Sequence, residues 1–367
     1  MTLPAQMKGV YLTGHGGPEM LEWRDDIPVP APGPGEVLVK VLAAGVNNTD
    51  VNTREGWYSP DVTGATGELQ DSVEAGGWSG ALGFPLIQGG DLCGSVVALG
   101  KGADRLKLGQ RVICPINQPR PTADNPVGFV AIGSEYDGAF AEYCTVPEVH
   151  LHDVTDAPLS DVELAAIPCA FGTAAGLLHR CKVGDGQQVL VTGASGGVGM
   201  AAVQLAKGMG AEVTGLASEA KAYAVRAAGA TTVLGRDAAL PVDHFDAVVD
   251  LVAGHRWGGL IDALRPGGHY AVAGAIAGPI VEADLRRIYL RDITVHGCTY
   301  QPTDVFAGLV AMVREGRIKP LISKTFAMQD IKAAQAEFMS KQHAGKLVLV
   351  PPNVEMDAQD NMGGIDG

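Results

Sequence analysis

The sequence predicts two architectures in one chain: an all-β, partly closed domain, then an α/β domain built on a parallel sheet. Three observations carry this. Up to about residue 155 the text consists of short β-type runs, GEVLVKVLAAGV, DLCGSVVALG, GQRVICPI and GAFAEYCTVP, broken by Gly, Pro and Asp. From Leu159 onward helical stretches, beginning with LSDVELAAIPCAFGTAAGLLHRC, alternate with the strand runs QQVLVTG, EVTGLA, TTVLG, DAVVDLV, GHYAVAGA and ITVHGC. After the first of these strands stands a glycine-rich turn that opens a helix. The change of pattern sets the expected boundaries at 1–157 for the β-rich domain and 158–316 for the α/β domain. Residues 317–352 are expected to return to the first domain, through a helix over Met328–Ser340 and the strand GKLVLV. The acidic, Gly-rich tail over 353–367 reads as mobile.

Composition agrees with a chain that buries a large core. Of its 367 residues 46% are hydrophobic and 19% charged, and the 50 glycines suit many tight turns and close helix packing on a sheet. A formal net charge of -14 argues against nucleic acid or an anionic membrane surface as the main partner, since both need concentrated positive charge. No apolar run reaches the roughly 18 residues of a membrane span, and MTLPAQMKGV lacks the apolar stretch of a signal peptide, so a cytoplasmic location is expected. The 6 cysteines stand singly, with no C-x-x-C pair, and read as buried thiols rather than a disulfide framework or zinc knuckle.

Within the β-rich part, AAGVNNTDVNTREGWY (residues 43–58) follows an apolar strand and holds amides, a hydroxyl, Asp, Arg and Tyr, with no cysteine or histidine. Asn47 and Thr49 have donors for a substrate oxygen, and Tyr58 can stack on or hydrogen-bond a flat substrate. Turn capping by Asn47 and wall packing by Tyr58 are the structural alternatives. Asp50 is expected to order the loop, and Arg54 to serve as an ion-pair partner.

The α/β part carries the strongest signal. Val189–Gly193 reads as a strand and Met200–Gly208 as a helix. The turn between them runs Ala194, Ser195, Gly196, Gly197, Val198, Gly199, with small residues at the three positions that permit a tight turn, approach to a pyrophosphate and close helix packing. At the end of the second strand, where an acidic residue would hold the ribose of NAD, stands Ser218, with Lys221 one helical turn on. A small hydroxyl and a cation favour NADP(H); Glu219, if it turned inward, would favour NAD.

These segments in this order, closing with HAGKLVLV, resemble the medium-chain dehydrogenase/reductase superfamily, and within it the zinc-independent quinone oxidoreductase branch, over about residues 8 to 350. The resemblance implies a GroES-like β-barrel catalytic domain, a Rossmann domain with a doubly wound parallel sheet, and an active-site cleft between them. Gly45, Val46, Asn47, Asp50, Arg54, Gly56 and Tyr58 match the branch's loop, which would form one wall of a metal-free site. The superfamily's zinc alcohol dehydrogenases carry a Cys, a His-Glu pair and a further Cys as metal-binding residues. Here Asn47, Gly90-Asp91 and Cys169 stand at those positions, too few ligands for a catalytic zinc, and the four-cysteine structural lobe is missing. The resemblance also places Thr173, Gly274, Ala275, Cys298, Thr299, Tyr300 and Lys346 close to the cofactor.

The implied activity is NADPH-dependent reduction of quinones or α,β-unsaturated carbonyls by hydride transfer. The alternatives are an alcohol dehydrogenase or carbonyl reductase with a weak metal at Cys169 and Asp91, and a non-catalytic NADPH-binding protein. A homodimer or dimer of dimers is suggested by ITVHGC and ADLRRIYL, which resemble the superfamily's subunit seam. The segment 59–84, longer than usual in the branch, reads as a lid carrying Trp57, Tyr58 and Trp78, or as a subunit contact. His150 and His152 read as surface or packing residues.

Overall fold

The computed structural model describes residues 3–59, 62, 64–65, 81–352 and 354. Trp78 and nearly all of the 353–367 tail lie outside the described residues. By its packing the chain forms two compact units, one built mainly from the chain up to Cys169 and from Val310 onward, the other from Ala170–Leu309.

In the first unit, β1 (Gln6–Leu12), β2 (Leu21–Pro28), β3 (Glu36–Gly45), β4 (Leu86–Ile87), β5 (Cys93–Leu99) and β6 (Arg111–Ile113) are followed by the β7–β8 ribbon (Asn117–Pro119, Phe129–Ala131), β9 (Tyr143–Pro147) and β10 (His152–Asp153). One antiparallel sheet runs β2-β1-β4. A larger sheet is centred on β3, which pairs antiparallel with both β5 and β9. Most of EVLVKVLAAG is buried, as befits a central strand, and its Val37, Val39 and Val41 join Leu92, Phe140 and Val146 in the core. Helix α1 (Asn48–Glu55) follows β3 directly, and α2 (Asp161–Ala165) begins at a capping box in which Ser160 and Glu163 exchange bonds.

The helical stretch after Leu159 is two helices rather than one. Pro168 opens α3 (Pro168–Arg180), the position where its missing N–H costs nothing. The division between units at Cys169 falls later than the 157/158 break expected from the sequence, because α2 packs on β3 and β5 and stays with the β-rich unit.

The second unit holds β11 (Gln188–Val191), α4 (Gly197–Gly208), β12 (Glu212–Leu216), α5 (Ala222–Ala227), β13 (Thr232–Leu234), β14 (Phe245–Asp250), α6 (Trp257–Ala263), β15 (Leu264–Val272), α7 (Arg286–Tyr289) and β16 (Thr294–Gly297). All six strands are parallel, in the order β13-β12-β11-β14-β15-β16. That is the strand order of a doubly wound dinucleotide-binding sheet, with its topological switch between β11 and β14. The chain leaves this unit along α8 (Thr303–Arg314). It then adds β17 (Ile322–Ala327), α9 (Ile331–Ser340) and β18 (Lys346–Val350) to the first unit, β18 pairing antiparallel with the end of β3.

Candidate active site

In the β-rich unit the site is built where β3 runs into α1. Asn47, with φ -134 and ψ 162, is the N-cap of α1, and its N–H donates to the Asp50 carboxylate at 2.8 Å. Gly56, at φ 73, closes the helix in the left-handed conformation glycine adopts without strain. Asp50 therefore orders the loop, as expected. Its burial pushes the carboxyl up to about 7, against the pull of the Asn47 and Gly90 N–H groups. Arg54 is 2% exposed and donates to Gln335 Oε1 at 3.1 Å, Gly16 O at 2.5 Å and Glu55 Oε1 at 3.2 Å, so it ties α1 to α9 and to the loop after β1.

Beside this cap lies a buried ion pair. Lys346, 5% exposed, places Nζ 2.8 Å from Oδ2 of the fully buried Asp91, 2.5 Å from Asn47 Oδ1 and 3.2 Å from Val46 O. Asn47 Nδ2 donates to the same Asp91 oxygen at 2.9 Å, and the Cys169 N–H donates to Asp91 Oδ1 at 2.6 Å. An ammonium has three donors, and all three are used. Room for the carboxylate depends on Gly45, since a Cβ there would stand 2.4 Å from Asp91 Oδ2 and 2.7 Å from Ala165 O.

This geometry bears on the site residues expected from the sequence. Lys346 belongs to the β-rich unit, with no donor left for a cofactor. Asn47 accepts from Lys346 at Oδ1 and donates through Nδ2 to Asp91 and, at 3.5 Å, to Gly45 O, so it holds the ion pair. The Thr49 hydroxyl, by contrast, is buried and has no hydrogen-bond partner. Tyr58 is half-buried and packs edge-to-face on Trp57 at 5.6 Å. Among the described residues, no group of three or more His, Cys, Asp or Glu side chains is placed to hold a metal ion. All 6 cysteines carry free thiols, and those at 93, 114, 144, 169 and 181 are buried.

In the α/β unit the expected cofactor-binding residues follow the C-terminal ends of strands. Beyond β11, Ala194 is buried, Ser195 is 8% exposed, Gly196 is exposed, and Gly197 and Val198 are half-buried at the start of α4. The first N–H groups of a helix have no partner within it and can hold an anion. Gly199 is obligatory, because a Cβ there would stand 2.2 Å from Gly193 O. Beyond β12, Ser218 begins a 3-10 turn that ends at Lys221. Burial, and after it the charge of Arg236, lowers the Lys221 pKa. Beyond β15 come Gly274 and Ala275, both half-buried, and beyond β16 come Cys298, Thr299 and Tyr300. Arg180 donates to Tyr300 O at 2.8 Å, and Thr173 is half-buried on α3.

Sequence reasoning missed Asp250, the last residue of β14. Fully buried, it accepts from Thr192 Oγ1 at 2.6 Å, Tyr270 Oη at 2.5 Å, and the N–H groups of Val252 and Ala253 at 2.9 and 3.1 Å. It thereby joins β11 to β14 at the switch. An acidic residue inside the apolar run DAVVDLV was the available signal.

Comparison with known proteins agrees with both halves. Residues 33–156 match the alcohol dehydrogenase GroES-like domain, and residues 221–349 the zinc-binding dehydrogenase domain. A solved structure of a candidate alcohol dehydrogenase from Sinorhizobium meliloti 1021 is 39% identical, covers 95% of this chain and 98% of its own, and superposes with a TM-score of 0.84. The chain belongs to the medium-chain dehydrogenase/reductase superfamily. Other members it resembles are an acryloyl-coenzyme A reductase of Metallosphaera sedula and a quinone oxidoreductase of Rattus norvegicus, each 28% identical over 94% of this chain and at least 98% of theirs. An NAD-dependent alcohol dehydrogenase of Sulfurisphaera tokodaii is 27% identical over 94% of this chain and 100% of its own. As a member of this superfamily the chain is an oxidoreductase of a dinucleotide-binding kind. Among its described residues no helix is long and apolar enough to cross a membrane.

Proposed function

We propose that the chain reduces conjugated carbonyl compounds, quinones or α,β-unsaturated carbonyls, with NADPH and without a catalytic zinc. The observation that carries this is the Lys346 ammonium seated between Asp91 and Asn47, at positions that bear metal ligands in the zinc alcohol dehydrogenases. Both Asp91 oxygens are occupied, one by Lys346 and Asn47, the other by the Cys169 N–H, so the donor set does not fit a zinc ion.

The residues of the α/β unit fit a dinucleotide: the exposed Gly196 at the start of α4 and the tight packing at Gly199 leave space for a pyrophosphate there. When bound, the nicotinamide supplies the hydride. The protein's part is to orient the acceptor and to support the charge that develops on its oxygen. Thr49, whose hydroxyl lacks a partner, is the donor for that oxygen, and Tyr58 forms a flat wall beside it. An acceptor that spreads charge by conjugation needs only such neutral donors. The names of the acryloyl-coenzyme A reductase and quinone oxidoreductase relatives both denote conjugated acceptors.

Ser218, with Lys221 following it in the same turn, supports NADPH, because a small hydroxyl leaves room for a 2'-phosphate and an ammonium can pair with it. The second reading, an NAD-dependent alcohol dehydrogenase, is favoured by the names of other relatives and by the acidic Glu219. Initial rates of NADPH and NADH consumption with a chelator present, against an ortho-quinone, an enone and a saturated aldehyde, separate the two. Turnover of the conjugated acceptors with NADPH preferred is the expected result; activity confined to the aldehyde and lost with chelator would overturn it. A homodimer is part of the same proposal. The outer edge of β16 is unpaired among the described residues, and Val295, Leu285, Tyr289 and Leu290 lie exposed nearby in the sequence. Light scattering of the protein and of Val295→Lys tests it.

A further inference from the structure

Among the described residues of the α/β unit, one buried side chain has no hydrogen bond from any of its polar atoms. Gln301 follows β16, past Tyr300, and is 3% exposed. Neither its Oε1 nor its Nε2 has a hydrogen bond. Its amide lies in a slot over Gly172 of α3: a Cβ at residue 172 would stand 2.8 Å from Nε2 and 3.0 Å from Oε1. Buried amides in folded proteins are nearly always paired, so one with donor and acceptor both idle calls for a ligand group that the fold leaves room to meet.

Position says which group. The inference rests on the dinucleotide reading above. In a doubly wound sheet the two mononucleotide halves lie on either side of the switch, across the C-terminal strand ends. Ser218 and Lys221, after β12, mark the adenosine half, and the α4 N-terminus marks the pyrophosphate. The nicotinamide half then falls over the ends of β14, β15 and β16, where Gln301 stands. Nicotinamide carries a primary carboxamide, one carbonyl acceptor and an NH2 donor, the complement of a glutamine amide. We propose that Gln301 reads the nicotinamide carboxamide, donating from Nε2 to its oxygen and accepting at Oε1 from its NH2. The side chain leaves the slot over Gly172 by rotation about its own torsions, and the pair of bonds fixes which edge of the ring faces the strand ends. Gln301 is thus a cofactor-positioning residue.

The test compares NADPH, its 3-acetylpyridine analogue, in which a methyl replaces the NH2, and adenosine 2',5'-bisphosphate, which has no nicotinamide. Dissociation constants are measured by fluorescence or calorimetry. Gln301→Leu is expected to weaken NADPH about tenfold or more, to leave the bisphosphate unchanged, and to weaken the analogue distinctly less than NADPH. Its thermal midpoint without ligand should stay level or rise, since the change removes an unsatisfied amide. Equal loss for all three ligands, or no loss for NADPH, overturns the proposal. If the variant does not fold, the unmutated protein decides: it should prefer NADPH to the analogue by about tenfold, and equal affinity overturns the proposal. Tight bisphosphate and NADPH binding with no effect of the variant would remove Gln301's role alone, whereas failure of the unmutated protein to bind any dinucleotide would remove the cofactor reading beneath it.

Discussion

Removing the ammonium from the β-rich unit is the sharpest perturbation available. Lys346→Met keeps most of the side-chain volume but leaves Asp91, fully buried, with only the Cys169 N–H and Asn47 Nδ2, and leaves Asn47 Oδ1 without its donor. Breaking one side of a buried, hydrogen-bonded ion pair costs about 3–5 kcal/mol. Asp91→Asn alone should cost a similar amount. Together the two changes should cost less than their sum by about 2 kcal/mol, because the second removes a charge already stranded by the first. The two compact units need not unfold together, so a local readout is preferable to a single melting point. Hydrogen exchange of peptides covering residues 43–58 and 165–172 provides it. At about 1.4 kcal/mol per factor of ten, either single variant should speed exchange there about a hundredfold or more, with peptides of the 188–216 region little changed. Additive effects of the two variants, or a cost for either below about 1 kcal/mol, would show that the pair is a surface-like contact and that Lys346 does not hold this site together.

Three other outcomes follow from the same structure. Burial pushes the Asp50 carboxyl up from its ordinary value of 3.8 to about 7, so the folded chain binds its proton more tightly than the unfolded chain. Its contribution to stability should therefore fall as pH rises from about 4 to 7 and then level off, and in Asp50→Asn denaturation midpoints measured across that range should lose this slope. Gly199→Ala would put a methyl 2.2 Å from Gly193 O and must open the turn; a loss of about 1–3 kcal/mol with at least tenfold weaker NADPH binding is expected, and unchanged binding in a titration would refute the role given to the turn. Asp250→Leu would strand the Thr192 and Tyr270 hydroxyls and two N–H groups, so a loss of about 3 kcal/mol or more, read from the denaturant midpoint of the α/β unit through Trp257, is expected.

Much of the α/β unit was legible because its central strands β11 and β14 are largely apolar runs, and because the turn after β11 has local steric requirements that only small residues meet. The helix after that turn begins at Gly197, earlier than the Met200 expected, since glycines at a helix start carry no periodic signal. In the β-rich unit the long strands β3 and β5 were visible, whereas β4, β7 and β8 span only two or three residues and have no alternation to read. The site shows the deeper limit. Lys346 opens the strand KLVLV, and the resemblance placed it near the cofactor rather than beside Asp91. Its partner Asp91 is 255 positions away, and the space for that carboxylate is made by the missing side chain of Gly45. Nothing within a window of sequence links the three. The resemblance to metal-binding relatives identified Asn47, Asp91 and Cys169 as a group but gave no hint that a lysine completes it.

That completion bears on the chemistry. A divalent ion with an open coordination position can take a substrate oxygen as a ligand and polarise a simple carbonyl. The Lys346 ammonium has a single charge, and its three donors already point at Asp91, Asn47 and Val46. It can anchor the loop between β3 and α1, but it has no donor for an acceptor's oxygen, and Asp91 opposite it cancels most of its charge at a distance. Whatever polarisation the site offers must then come from neutral donors on the anchored loop, where the buried Thr49 hydroxyl has its hydrogen-bonding capacity unspent. A single neutral donor stabilises developing charge by about 3 kcal/mol, and an acceptor that delocalises that charge itself asks least of it. On the proposed function, therefore, the preference for conjugated acceptors is a consequence of how Lys346 is held, and not an independent feature of a binding pocket.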